Sequence, residues 1–240
     1  MTPLNIANRD MLYSLSWYMS ARKTALRAAL SFRLPLSGTG LTDLRVHYSS
    51  YFLNLLAAVD LFPDTKTLQP NDFEDRLRSH LVFDGFQDGA ANYSYIRELR
   101  NAVVHRGLDI TTSMHFDGQF PMLLAPPQIQ NTPAARNSKT YPAFDKYLLD
   151  IIAKCEAVVG PQMLECLKDK GVWDAPIDSA AAAAEYRKNV EQSYAMPENV
   201  KAMALAMDFK SEWALAVHSS AMTELLEALT PCDTSMLTSQ

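Results

Sequence analysis

Glycine is scarce, 8 in 240 residues, while leucine, alanine and methionine are plentiful, a balance that favours helix. Cysteine is scarcer still. Cys155, Cys166 and Cys232 are too few and too scattered for a disulfide framework or a zinc site, and they read as reduced, partly buried thiols of a cytoplasmic protein. No stretch approaches 18 uninterrupted apolar residues, which excludes a membrane span. The first ten residues lack a basic segment followed by an apolar run, so no secretory signal is expected. Positive charge is not in excess. The net charge of −5 excludes the global basic field that most duplex-DNA binders carry, though a local basic groove would still serve an RNA enzyme. Ser37-Gly38-Thr39-Gly40 is a lone glycine turn, without the strand before it or the lysine after it that a phosphate loop requires. No Ser-His-Asp arrangement with a nucleophile elbow is present, and no persuasive metal site or cofactor motif.

What is there is helical periodicity. The chain is long enough for one sizeable core, or for a core with an appended subdomain. Asn8 or Asp10 caps a first helix running to about Phe32, with Leu12, Leu15, Met19, Arg22 and Leu26 on its periodic face. Thr42 and Asp43 open a second through Tyr48, Phe52 and Val59, stopped before Pro63. Pro70-Asn71-Asp72 starts a third, with Asp72, Glu74 and Asp75 in the first turn as the helix dipole favours. A break at Asp84–Gly89 precedes a fourth, from about Ala91 to Val104. Residues 108–124 read as a β-hairpin with a tight Asp117-Gly118 turn, in which Pro121 confines the second strand to an edge. A proline-rich loop to Pro142 leads to an amphipathic helix over about Ala143–Lys170, with an interruption open at Gly160-Pro161. The expected fold class is all-α: an antiparallel helical bundle over residues 1–175, with a hairpin and long loop inserted at 107–143. Residues 176–240, with an Ala180–Ala184 run, form a C-terminal helical extension ending in a polar tail.

The residues that carry chemistry sit at the end of the fourth helix: Arg97-Glu98-Leu99-Arg100-Asn101-Ala102-Val103-Val104-His105-Arg106, closed by Gly107. At about 100° per residue, Ile96, Leu99 and Val103 form one apolar stripe. Tyr93, Arg97, Arg100 and Val104 lie on its flank, where a second surface docks or a groove opens. Asn101 lies further round, and His105 falls at the last turn, where unsatisfied carbonyls favour a cation. Gly107 serves as the left-handed terminator. Arginine binds and neutralises a phosphate bidentately, and histidine moves a proton near neutral pH. Together they suffice to cleave RNA without a metal.

Arg100-Asn101-Ala102-Val103-Val104-His105 resembles the signature of the HEPN domains, an arginine four to six residues before a histidine with a polar residue directly after the arginine. Demanding the asparagine lowers the chance occurrence of such a pair from ~0.8 to ~0.03 in a chain of this composition. The resemblance is close over residues 91–107 and loose over 1–170; it does not reach the rest. It implies a helical bundle, and a metal-independent endoribonuclease whose homodimer joins two motifs into one composite site. Such proteins act as toxins, as antiviral-defence effectors or in RNA processing, and toxins of this kind are restrained by an antitoxin or another regulatory protein. Some members only bind nucleotide or RNA. On this resemblance Arg100, Asn101 and His105 are the candidate catalytic residues, and Arg97 and Arg106 the candidate RNA-binding ones. Arg100 would stabilise phosphoryl charge, Asn101 would orient the phosphate or His105, and His105 would transfer protons. In some members a tyrosine two residues after the histidine is adenylylated; here that position is Gly107. The long 107–143 connection is expected to gate the groove or contact RNA. His47, His80, His115 and His218 read as structural. A non-catalytic nucleotide- or RNA-binding module and a helical interaction subunit are the alternatives.

Overall fold

The structure, a computed structural model, describes residues 3–62, 70–131, 138–207 and 210–234. Pro63, the side chain of Asp72 and the polar tail beyond residue 234 lie outside the described residues. Among the described residues the chain is an all-α bundle of eight helices, with two small two-stranded antiparallel sheets. In order they are α1 (Ile6–Leu30), α2 (Gly38–Leu61), α3 (Pro70–His80), α4 (Gly89–His105), β1 (Met114–Asp117), β2 (Phe120–Leu123), β3 (Gln128–Gln130), β4 (Thr140–Pro142), α5 (Leu148–Asp169), α6 (Ser179–Gln192), α7 (Glu198–Ala206) and α8 (Ser211–Leu229).

The first two helices start earlier than the apolar pattern suggests, because their capping side chains sit further upstream. Asn5, in extended backbone, accepts from the Asn8 amide at 2.8 Å and starts α1; Asn8 itself is buried inside the helix, so neither Asn8 nor Asp10 is the cap. Ser37 likewise accepts from Gly40 at 3.0 Å and starts α2 four residues before Thr42. The two helices form the most extensive pair in the bundle. Leu15, Met19 and Leu26 of α1 meet Tyr48, Phe52 and Leu55 of α2 in one continuous core, which also holds Ile96 and Leu99 of α4, Ile151 and Met163 of α5, and Leu225 and Leu229 of α8.

Helix α5 starts at Leu148, not Ala143, because the preceding residues are claimed by β-type bonds: Ala143 donates to Pro127 O and Ala125 donates to Lys146 O. It also runs unbroken through Pro161. The carbonyl that Pro161 leaves without a donor belongs to Ala157, an exposed residue, so water can satisfy it. Gly160 answers to packing: a Cβ there would stand 2.1 Å from the Leu229 carbonyl oxygen.

The hairpin is present with its turn one residue later than expected. Asp117 pairs with Phe120, so Gly118 and Gln119 form the two-residue loop and Gly118 takes the left-handed φ of 56°. The expected proline-rich loop contains a second hairpin, β3 with β4, paired Gln128 to Pro142.

At the centre lies a polar hub. Arg22 (0% exposed) and Glu156 (2%) stand 3.1 Å apart, Nη1 to Oε1, at an angle that makes the contact an ion pair rather than a directed hydrogen bond. Tyr51 donates to Glu156 Oε1, the Cys232 amide donates to Oε2, and Arg22 Nη2 donates to Ala228 O. Four helices and the segment after α8 thus share one buried charge pair.

Candidate functional site

Local hydrogen bonds set the start of α4. Asp88 accepts from the Ala91 amide at 2.9 Å, and buried Asn92 donates to Leu81 O and Phe86 O, tying the helix start to the turn after α3. Ile96, Leu99, Ala102 and Val103 are buried, as the apolar stripe requires. At the far end the Ala102 carbonyl accepts from both Arg106 and Leu108, and Gly107 takes a φ of 69°, which ends the helix. Arg45 of α2 secures this end, donating to Gly107 O at 3.1 Å and facing Asp109 Oδ2 at 3.5 Å.

Two arginines of the motif converge on one carboxylate. Arg97 Nη1 donates to Asp60 Oδ1 at 3.2 Å, and Arg100 Nη2 donates to Asp60 Oδ2 at 3.1 Å. Arg97 Nη1 also donates to the Tyr93 hydroxyl at 2.9 Å. Burial opposes the Arg97 charge, but the Tyr93 hydrogen bond and the neighbouring charges outweigh it and raise its pKa. Burial dominates at Tyr93 and raises its pKa too, against the pull of Arg97. The Arg100 side chain is only 16% exposed, and its buried Nε has no acceptor.

On the adjoining face, Glu98 gathers the other polar residues. Asn101 Nδ2 donates to Glu98 Oε1 at 3.3 Å, and Arg106 Nη2 reaches the Glu98 carbonyl at 3.2 Å and Oε2 at 3.4 Å. His105 is exposed, and among the described residues its ring has no hydrogen-bond or ionic partner. The structure therefore brings Arg97 to Arg100 through Asp60, and Asn101 to Arg106 through Glu98. Among the described residues no hydrogen bond or ion pair joins His105 to either pair: five helical residues place Arg100 and His105 about 140° apart around the axis, and Asn101, only about 40° from His105, gives its amide to Glu98.

The sequence does not mark Asp60, Glu98 or Arg45 as site partners, and it places Tyr93 on the flank shared with Arg97 and Arg100 without giving it a role. Asp60 carried one usable signal: a carboxylate in the last turn of a helix is disfavoured by the dipole and calls for a nearby cation. The remaining histidines have other surroundings. His80 Nδ1 lies 2.9 Å from Arg76 O, and the rings of His47 and His115 lie against Phe32 and Tyr147.

Among the described residues, no group of three His, Cys, Asp or Glu side chains is placed to hold a metal ion, and no helix is long and apolar enough to cross a membrane. The three cysteine thiols are buried and unpaired with one another. Comparison with protein-family models, with curated proteins and with solved structures finds no match.

Proposed function

We propose that this chain is a metal-independent endoribonuclease of the HEPN type, working as a homodimer in toxin or antiviral-defence biology. The observation that carries the reading is the end of α4, where a rigidly capped helix presents paired Arg97 and Arg100 on one face and an unengaged, exposed His105 on the next. In this reaction the RNA 2′-OH attacks the adjacent phosphorus. The new O2′–P bond forms as the P–O5′ bond breaks, leaving a 2′,3′-cyclic phosphate and a 5′-OH. His105 removes the hydroxyl proton as base or supplies one to the departing oxygen as acid. Arg100 stabilises the charge growing on the phosphoryl oxygens, and Asn101 orients the phosphate. Arg97 and Arg106 hold the backbone.

A second copy completes such a site, since one helix holds Arg100 and His105 on different faces. The surface beside the motif suits that partner. Val46, Leu53 and Val104 are exposed at 52%, 42% and 41%, around a groove of about 360 Å³ between α2 and α4. An antitoxin or other regulatory protein would then act by covering the groove or the α4 end.

One observation favours the alternative of a non-catalytic RNA- or nucleotide-binding module. Asp60 already occupies the two arginines, so an incoming phosphate must displace it.

Wild type, Arg100→Ala and His105→Ala, incubated with end-labelled RNA in excess EDTA, decide between these readings. The nuclease reading expects cyclic-phosphate ends from wild type, and cleavage slower by roughly 100-fold or more in each variant. Binding without turnover selects the module. Cleavage that persists in both variants removes the motif from the chemistry.

A further inference from the structure

We infer that a cavity of about 610 Å³ between the 108–113 segment, the 124–127 segment that follows β2 and residues 143–146 before α5 is a binding site for a small aromatic anion. The inference stands whether or not the chain cleaves RNA. The volume falls in the range of roughly 300–1,000 Å³ typical of small-molecule sites.

The walls are apolar and already braced. Phe86, Ile110, Leu124, Pro126 and Pro127 are among the lining residues. Backbone bonds hold them without a ligand: Leu124 donates to Ser113 O at 2.9 Å, Ala125 to Lys146 O at 2.8 Å, and Ala143 to Pro127 O at 2.9 Å. Tyr95 adds a hydroxyl bond to Pro126 O at 2.8 Å. A wall fixed before binding loses little conformational freedom on binding. Phe86 stays 36% exposed at the rim, its ring near the Lys154 ammonium at 5.8 Å, and offers an aromatic face to a flat ligand.

The charge at the cavity selects the sign. Its two carboxylates are spoken for: Asp109 accepts from the Thr111 amide at 2.9 Å and hydroxyl at 2.6 Å and faces Arg45, while Asp145 pairs with Lys154 and accepts from the Lys146 amide. The Lys146 ammonium has no carboxylate among the described residues, and its recorded contact is the Tyr147 ring at 5.1 Å. Once Arg45 and Lys154 are matched to Asp109 and Asp145, one positive charge remains. Ser113 adds a hydroxyl with no recorded partner. An aromatic body carrying one carboxylate, sulfonate or phosphate satisfies both the walls and Lys146. The wall begins at Leu108, directly after Gly107, which ends α4, so an occupant rests against the segment that Arg45 ties to α2.

The test uses the full-length protein and two fluorescent probes, 1-anilinonaphthalene-8-sulfonate and its uncharged counterpart N-phenyl-1-naphthylamine. The expected result is saturable binding of about one equivalent of the sulfonate. Lys146→Glu, an exposed change that leaves the fold intact, should weaken the sulfonate at least about fivefold and leave the neutral probe unchanged. Ala143→Phe, which intrudes on the cavity, should weaken both; should that variant not fold, Lys146→Glu alone decides. Equal loss of both probes in Lys146→Glu overturns the anion assignment. Sulfonate binding that ignores Lys146→Glu overturns the site, because the probe then lies on another apolar surface.

Discussion

Arg100 and Asp60 meet at 3.1 Å across 40 residues of sequence, and Arg97 takes the other oxygen of the same carboxylate at 3.2 Å. The carboxylate thus sits where two phosphate oxygens would sit in a doubly clamped anion. Asp60→Asn removes the competing charge while preserving the shape. In a His105→Ala background, chosen to suppress turnover under the proposed nuclease reading, RNA binding at low salt should tighten about threefold by fluorescence anisotropy. The pairs are partly exposed, so the stability cost should stay below about 1 kcal/mol. Unchanged RNA affinity would show that the arginines serve only the helix pairing.

A much larger effect belongs to Arg22 and Glu156. Removing either partner strands a buried charge, and Glu156→Ala also deprives Tyr51 and the Cys232 amide of their acceptor. Each single change should cost about 3–5 kcal/mol in urea unfolding, and the double replacement Arg22→Met with Glu156→Leu should recover much of that loss. Additive losses in the double variant would contradict the coupling.

Gly160→Ala tests the seat of α8 on α5. The new methyl would stand 2.1 Å from Leu229 O, a backbone atom that cannot swing aside. A loss of about 1–3 kcal/mol is expected from overpacking. The helix gain from alanine is smaller, about 1 kcal/mol. A more stable Gly160→Ala protein would mean that α8 does not pack here in solution.

Acid sensitivity should arise in part at His218. Burial, with a contribution from Arg9, lowers its pKa below the ordinary 6.5, and its Nδ1 is buried without an acceptor. The unfolded chain therefore binds a proton more readily than the folded one. Stability from this group is complete above pH 6.5 and is lost as pH falls through 6.5 towards the folded-state pKa. His218→Gln should flatten melting temperature against pH across that window, and a slope identical to wild type would exclude the histidine.

Much of the bundle was readable because helices repeat every 3.6 residues. The faces carrying Leu15, Met19 and Leu26, or Ile96, Leu99 and Val103, follow from spacing and are buried as spacing requires. Gly107 was readable as a terminator because a left-handed residue after a helix strongly favours glycine. Boundaries were less legible where a cap lay upstream of the apolar pattern, as at Asn5 and Ser37, or where strand bonds overrode it, as at Ala143. The β3–β4 hairpin escaped notice because each strand is three residues long and interleaved with proline.

The sequence by itself determined the all-helical class, the order of the helices through α5 and the presence of Arg100, Asn101 and His105 at one helix end. These are local properties, set by periodicity, capping and residue type within a few turns. Only the tertiary structure decided that Arg97 and Arg100 share Asp60, that Arg22 on an apolar stripe finds Glu156, and that Gly160 marks a crossing rather than a break. Each of those depends on which helices meet and at what point along their axes. That is settled by the packing of side chains far apart in the chain, and no local repeat encodes it.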